Sequence, residues 1–201
     1  MESTSPAIFV DPTCPFAWIT RQWLGEVSAL TGQPIEVELM SLSAVNEGRE
    51  LDDWYRDYND NAWLPARVAA ALLASENNHR WPDFYQGFGQ RRHVDGLRDD
   101  LSNLRTTIAE LDLPATLVDE AHNTAWDEDL RGRTATACQP LDGQGGTPIL
   151  RLHGRHFFGP VLTAIPRGQD ALRLWEAVTT LAQTPAFSEI KTARGETLAT
   201  S

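Results

Sequence analysis

The spacing of the apolar positions changes along the chain between continuous runs, helical periods and strict alternation, and each change marks the start of a new element. Ala7-Ile8-Phe9-Val10 is a continuous apolar run closed by Asp11-Pro12, which predicts a short buried strand. Phe16, Ile19, Trp23, Val27 and Leu30 then recur at three and four, one face of a helix. After the turn residues Gly32-Gln33-Pro34, Ile35-Glu36-Val37-Glu38-Leu39-Met40 alternates apolar and acidic residues, as a half-buried strand does. A crossover of this length between two strands implies a parallel pair with a right-handed connection, hence an α/β sheet.

From about Leu51 to Leu130 the alternation disappears. Val68, Ala71, Leu72 and Ser75, then Leu97, Leu101, Leu104 and Ile108, keep helical spacing, so this block is predicted all-helical. Pro65, Pro82 and Pro114 punctuate it, Asp112-Leu113-Pro114-Ala115 opens a fresh helix, and Trp54, Trp63 and Trp81 are assigned to its core. The Thr134 to Gln144 segment ends the block. Thr147 to Gly154 and Arg155 to Pro160 then read as a hairpin, with Asp170 to Leu181 as a closing amphipathic helix and a tail after Pro185 that is partly loose. The expected division is a sheet-bearing domain from residues 1–45 and 135–185, an inserted helical domain at 46–134, and a tail at 186–201.

Composition narrows the function classes. With 41% hydrophobic residues the chain can bury a core, and its net charge of −11 repels phosphate backbones and anionic lipid surfaces, so neither nucleic acid nor membrane is expected as a partner. The first residues lack the basic and apolar regions of a signal peptide, which makes the cytoplasm the expected location. Two cysteines, Cys14 and Cys138, form no CxxC or zinc-ligand spacing, and His153 and His156 flank Gly154 as a solvated turn, so no metal is expected. No glycine pattern that cradles phosphates is present.

The residue with chemistry is Cys14, in Asp11-Pro12-Thr13-Cys14-Pro15-Phe16-Ala17-Trp18. It lies at the strand-to-helix junction, and Pro15 falls where the first helical residue would be, so Cys14 is at or next to the N-cap. Unpaired backbone N–H groups and the positive helix end favour thiolate over thiol, and a thiolate is a nucleophile. An isolated cysteine is also often a small buried hydrophobe. Its position favours the nucleophile.

Four separated pieces agree on a family resemblance: the strand-Cys-Pro-helix start, Gly146-Thr147-Pro148 leading into the third strand, the all-helical insertion, and the terminal hairpin and helix. Together they resemble the DsbA-like branch of the thioredoxin superfamily, an α/β thioredoxin-like fold with a helical insertion. Met40 to Glu47, Arg92-His93 followed by Gly96, and Phe157 to Gly168 resemble, more narrowly, the actinobacterial mycothiol-dependent reductases, including a nitroreductase. The resemblance implies a Thr147-Pro148 bond in cis against Cys14 and mycothiol as co-substrate. It also implies that Pro15, Phe16, Thr147 and Pro148 bind the thiol compound, with Trp18, Asn46, Tyr55 and His93 at the substrate cleft.

One position departs from the dithiol members. Ala17 stands where the resolving cysteine of CxxC would be and cannot attack a mixed disulfide on Cys14. The second thiol must come from Cys138, which reads as a buried structural residue, or from a low-molecular-weight thiol. The expected activity is a monothiol oxidoreductase that reduces disulfides or electrophiles, as monomer or homodimer. The alternatives are a kappa-class-type thiol transferase or isomerase, and a non-catalytic thiol- or peptide-binding protein. Asn46 as a helix cap, Tyr55 as a packed aromatic, His93 as a solvated helix residue and Trp18 as core are the competing structural assignments; His93 as general base or partner of Cys14 is the functional one.

Overall fold

A computed structural model describes residues 5–143, 145–193, 195 and 197–201. Strand β1 (Ala7–Val10) leads into helix α1 (Pro15–Thr31), which returns through β2 (Glu36–Leu39). β1 and β2 pair in parallel, with Ile8 opposite Val37. α1 stops at Gly32, whose φ of 72° is the left-handed conformation that glycine adopts without a Cβ penalty.

The long helical excursion follows: α2 (Leu42–Asn46), α3 (Asp53–Ala74), α4 (Trp81–Gly89), a π-helical turn at Gln90–Val94, α5 (Asp100–Glu110), 3-10 turns at Ala115–His122 and Thr124–Trp126, and α6 (Asp127–Cys138). β3 (Ile149–Leu152) and β4 (Arg155–Phe158) then form the hairpin and α7 (Gly168–Ala182) closes the fold. The sheet order is β2-β1-β3-β4, with β3 antiparallel to both neighbours. This is the thioredoxin-like arrangement with a helical insertion between β2 and β3.

Period-two alternation in the central strands divides the core between two faces. Ile8, Val10, Leu150 and Leu152 point into the larger cluster with α1, α7 and much of the helical block. Phe9 and Ile149 point the other way, onto Met40, Ala137 and Cys138. Trp23 joins α1 to α7: its indole N–H donates to the Ala171 carbonyl at 3.1 Å and its ring meets Trp175 edge-on at 6.1 Å.

The helical block departs from expectation in four places. Pro65 does not end a helix but lies within the 22-residue α3. Its missing N–H costs one backbone bond, roughly 3 kcal/mol in a helix interior, and the buried face of Ala62, Ala66, Val68, Ala69, Ala70 and Leu72 outweighs that. Trp54 is 71% exposed rather than core, because the first turn of α3 projects beyond the packed face. Leu97 is exposed and precedes α5, since Asp99 caps that helix by accepting from Ser102 N–H. Asp112 to Ala115 leads into a 3-10 turn, not an α-helix.

Candidate active site

The loop between β1 and α1 is built on a buried carboxylate. Asp11 Oδ1 accepts from the Thr13 N–H at 2.7 Å and the Thr13 hydroxyl at 2.6 Å, while Oδ2 accepts from the Leu42 N–H, the start of α2, at 2.7 Å. Its own N–H donates to Thr147 Oγ1 at 3.2 Å, and its carbonyl accepts from the Cys14 N–H at 3.1 Å. One residue therefore ties three segments together: its carboxylate holds the cysteine loop and α2, and its backbone N–H holds the β3 approach. Burial raises the Asp11 pKa, and the bonds from Thr13 and Leu42 oppose that rise.

Cys14 is the N-cap of α1, with Pro15 next to it inside the helix. The Ala17 N–H donates to Sγ at 3.5 Å, and the Sγ–H lies 3.4 Å from the Thr147 carbonyl as donor. The first contact favours the thiolate; the second exists only for the thiol. Sγ is thus placed between a donor on α1 and an acceptor on the β3 approach. The Thr147-Pro148 peptide is cis. Cys14 is 4% exposed, and Ala17 is fully buried beneath it.

Two further carbonyls of this loop are held by the helical block. The Tyr58 phenol donates to the Thr13 carbonyl at 2.7 Å. Burial and then the negative charge of Cys14 and of Asp11 hold that phenol well above its ordinary pKa, which places Tyr58 within electrostatic reach of the sulfur. Tyr55 stacks on Tyr58 at 5.9 Å, nearly parallel, and the Asn46 amide donates to the Tyr55 hydroxyl at 3.1 Å and to Asn59 Oδ1 at 3.2 Å. On the other side His93 donates from Nε2 to the Pro12 carbonyl at 3.1 Å and lies over the Trp18 indole at 5.7 Å. Burial lowers the His93 pKa to about 4, against the opposing bond to Pro12 and with help from Arg92 and Arg98. His93 is therefore neutral at pH 7, its Nε2 proton committed to a carbonyl, and it is a poor proton acceptor.

A family model for the Rv2466c-like proteins, described as mycothiol-dependent nitroreductase Rv2466c, matches residues 13–192. The chain belongs to that family. It is 32% identical over 188 residues to the uncharacterized protein Rv2286c of Mycobacterium tuberculosis, covering 90% of this chain and 78% of that one. Among solved structures it is similar to a 2-hydroxychromene-2-carboxylate isomerase, with a TM-score of 0.60, 14% identity and 89% and 94% of the two chains covered. It is also similar to DsbA from Chlamydia trachomatis, with a TM-score of 0.52, 11% identity and coverage of 90% and 87%. These two likenesses establish the fold.

In this member of the family, Cys14, Pro15, Thr147, Pro148 and His93 lie on or against the 11–14 loop, while Tyr55 and Asn46 are linked through Tyr58 to that loop. Trp18 is 1% exposed, packed beneath it, and Phe16 is partly exposed at the first turn of α1. Cys138 is on the opposite face of the sheet with Phe9 and Ile149, its thiol pKa raised by burial. Read from the sequence, Tyr58 has no role, and Asp11, Thr13 and Arg92 stand only within motifs, without a function of their own. Tyr58 follows Tyr55 by three and so shares its helix face, a signal that could have found it; the Asp11 contacts join residues too distant in the chain to be read. The described tail residues beyond Phe187 form no helix or strand but are tied near residue 200: the Trp18 indole N–H donates to the Thr200 carbonyl at 2.9 Å, and the Thr200 hydroxyl donates to the His93 carbonyl at 2.7 Å. Among the described residues no group of three or more His, Cys, Asp or Glu side chains could hold a metal ion, and no helix is long and apolar enough to cross a membrane.

Proposed function

We propose that this protein is a cytoplasmic monothiol oxidoreductase that uses Cys14 as nucleophile and mycothiol as the thiol co-substrate to reduce disulfides or electrophilic compounds. The observation that carries the reading is the placement of Sγ at the N-cap, against the Ala17 N–H, with no thiol on Ala17 itself. Cys14 thiolate attacks one sulfur of a disulfide; a new S–S bond forms on Cys14 and the other sulfur leaves as thiolate. A low-molecular-weight thiol supplies the second sulfur that Ala17 lacks. Its thiolate attacks the outer sulfur of that bond, forms a new disulfide with it and releases Cys14 as thiolate; the electron pair given up by the thiol is held by the thiolate that left in the first step, so the protein ends unchanged.

The remaining roles follow from position. Thr147 and Pro148 offer backbone beside Sγ to the incoming thiol compound, and Pro15 and Phe16 form the adjoining end of α1. Asn46 and Tyr55 shape the cleft with Tyr58, while Trp18 and His93 hold the loop from below and behind.

The test is intact mass after incubation with mycothiol disulfide over a pH series, with Cys14→Ser alongside. One adduct, on Cys14 alone and removed by added mycothiol, is the expected result. Absence of adduct at every pH sinks the redox cycle. Thiol-conjugate formation that survives Cys14→Ser would instead establish the transferase or isomerase reading, which the missing second thiol favours over a dithiol enzyme.

A further inference from the structure

A second cavity opens on the far side of Tyr58, between α3 and the start of α5. It has a volume of about 330 Å³ and is lined by Tyr58, Asn61, Arg92, Arg98, Asp99 and Asp100 together with two leucines. Tyr58 belongs to both places: its hydroxyl holds the residue before Cys14, and its ring forms a wall of this cavity.

The groups in the wall have a distinct chemistry. Arg92 is buried, pairs with Asp100, and lies over the Tyr58 ring at 5.7 Å. Its Nε is buried with no hydrogen-bond partner. Arg98 is exposed and makes no ion pair among the described residues. The Asn61 amide nitrogen donates to the Asp57 carbonyl, so its Oδ1 remains an acceptor. Two guanidiniums face two carboxylates, so the cavity has no net formal charge. An aromatic face, planar donors and carboxylate acceptors in a neutral balance match vicinal hydroxyl groups. They do not match a ligand that brings carboxylates of its own, which Asp99, Asp100 and a net charge of −11 would repel.

Resting on the functional reading above, we infer that this cavity is the subsite for the neutral, polyhydroxylated part of the thiol co-substrate, and that it selects a sugar-bearing thiol over an anionic peptide thiol. Mycothiol is an N-acetylcysteine joined to a glucosamine–inositol pseudodisaccharide. With its sulfur at Cys14, the cysteinyl part passes Thr13 and Tyr58 and the sugars reach Asn61 and Arg98. The cavity thus supplies the recognition that the buried sulfur, with so little exposed surface, cannot.

The experiment measures the rate of Cys14 thiolation by three symmetrical disulfides: that of mycothiol, of N-acetylcysteine, which lacks the sugars, and of glutathione. Arg98→Ala and Asn61→Ala, both at exposed positions, are compared with the unaltered protein, and the urea midpoint of each variant checks that it is folded. In parallel the free pseudodisaccharide, which has no sulfur, is titrated by NMR. The expected result is a mycothiol preference over N-acetylcysteine of about tenfold or more, as one or two hydrogen bonds to charged groups provide. Each variant should erase most of it while leaving the N-acetylcysteine rate unchanged, and the pseudodisaccharide should shift signals around Tyr58 and Asn61 in the unaltered protein only. A preference retained in both variants, or glutathione disulfide reacting as fast as that of mycothiol, overturns the subsite. If Cys14 takes no adduct from any disulfide the functional reading fails by itself, and the titration alone decides the cavity: shifts there support a sugar site, and their absence removes it.

Discussion

Gly89, the last residue of α4, lies flat against the ring of Trp18: a Cβ at that position would be 2.3 Å from Cζ3 and 2.4 Å from Cε3. The helix ends there in ordinary helical geometry, so it is contact with the indole, not backbone conformation, that requires a glycine. Because His93 stacks on the same indole and holds the Pro12 carbonyl, the contact bears on the cysteine loop.

Gly89→Ala should therefore lower stability although alanine is the better helix former. Overpacking a dense core costs about 1–3 kcal/mol, against a helix-propensity gain of up to about 1 kcal/mol. The check is the urea midpoint, with Trp18→Phe as companion. The smaller ring makes room for the methyl, so the double variant should be less destabilised than the two single losses added.

The neutral His93 predicts a pH dependence of folding. Its pKa is about 4 in the folded protein and 6.5 in the unfolded chain, so between those values the unfolded chain holds the extra proton. Stability from this group is complete above about pH 6.5 and declines as pH falls toward 4, by up to about 3 kcal/mol at 1.36 kcal/mol per pKa unit. His93→Gln keeps a donor for the Pro12 carbonyl and does not titrate. The difference between the two proteins across pH 4 to 7 should isolate the effect from that of Asp11, whose raised pKa acts in the opposite direction.

Ala17→Cys should convert the one-thiol chemistry to two. The Ala17 backbone is already within 3.5 Å of Sγ, so a thiol there is placed to attack an adduct on Cys14 and expel it. Intact mass should show loss of the adduct without added thiol and loss of two hydrogens from the protein. An adduct as persistent as in the parent would show that the geometry does not permit resolution.

Asp11→Asn should be costly without touching the sulfur. The carboxylate accepts three bonds, and an amide has one oxygen to offer where both ends now accept. Leaving a buried donor without a partner costs about 1–3 kcal/mol, read by denaturant unfolding. Alkylation of Cys14 should also become faster and less selective, because the same carboxylate fixes its loop.

Much of this fold was legible in the sequence because its signals are periodic. β1, α1, β2, the hairpin and α7 were each written in local spacing, and Cys14-Pro15 announced its own helix start. The helical block was legible as helical but not in detail. Pro65 was misread because propensity describes an isolated helix, whereas α3 is stabilised by its buried alanine face. Trp54 was misread because bulk does not report which turn of a helix overhangs the core. At the site, the cysteine and the Thr147-Pro148 segment could be named in advance. The Asp11 anchor, the Tyr58 bridge and the π-turn that presents Arg92 and His93 depend on contacts between remote residues, which no local pattern records.

The tie between Thr200 and the pair Trp18 and His93 has a practical side. Without Thr200 the buried Trp18 indole N–H would lose its acceptor, which costs about 1–3 kcal/mol. The ring that backs the cysteine loop would then be less firmly held, so a chain shortened before Thr200 should show its loss in the urea midpoint.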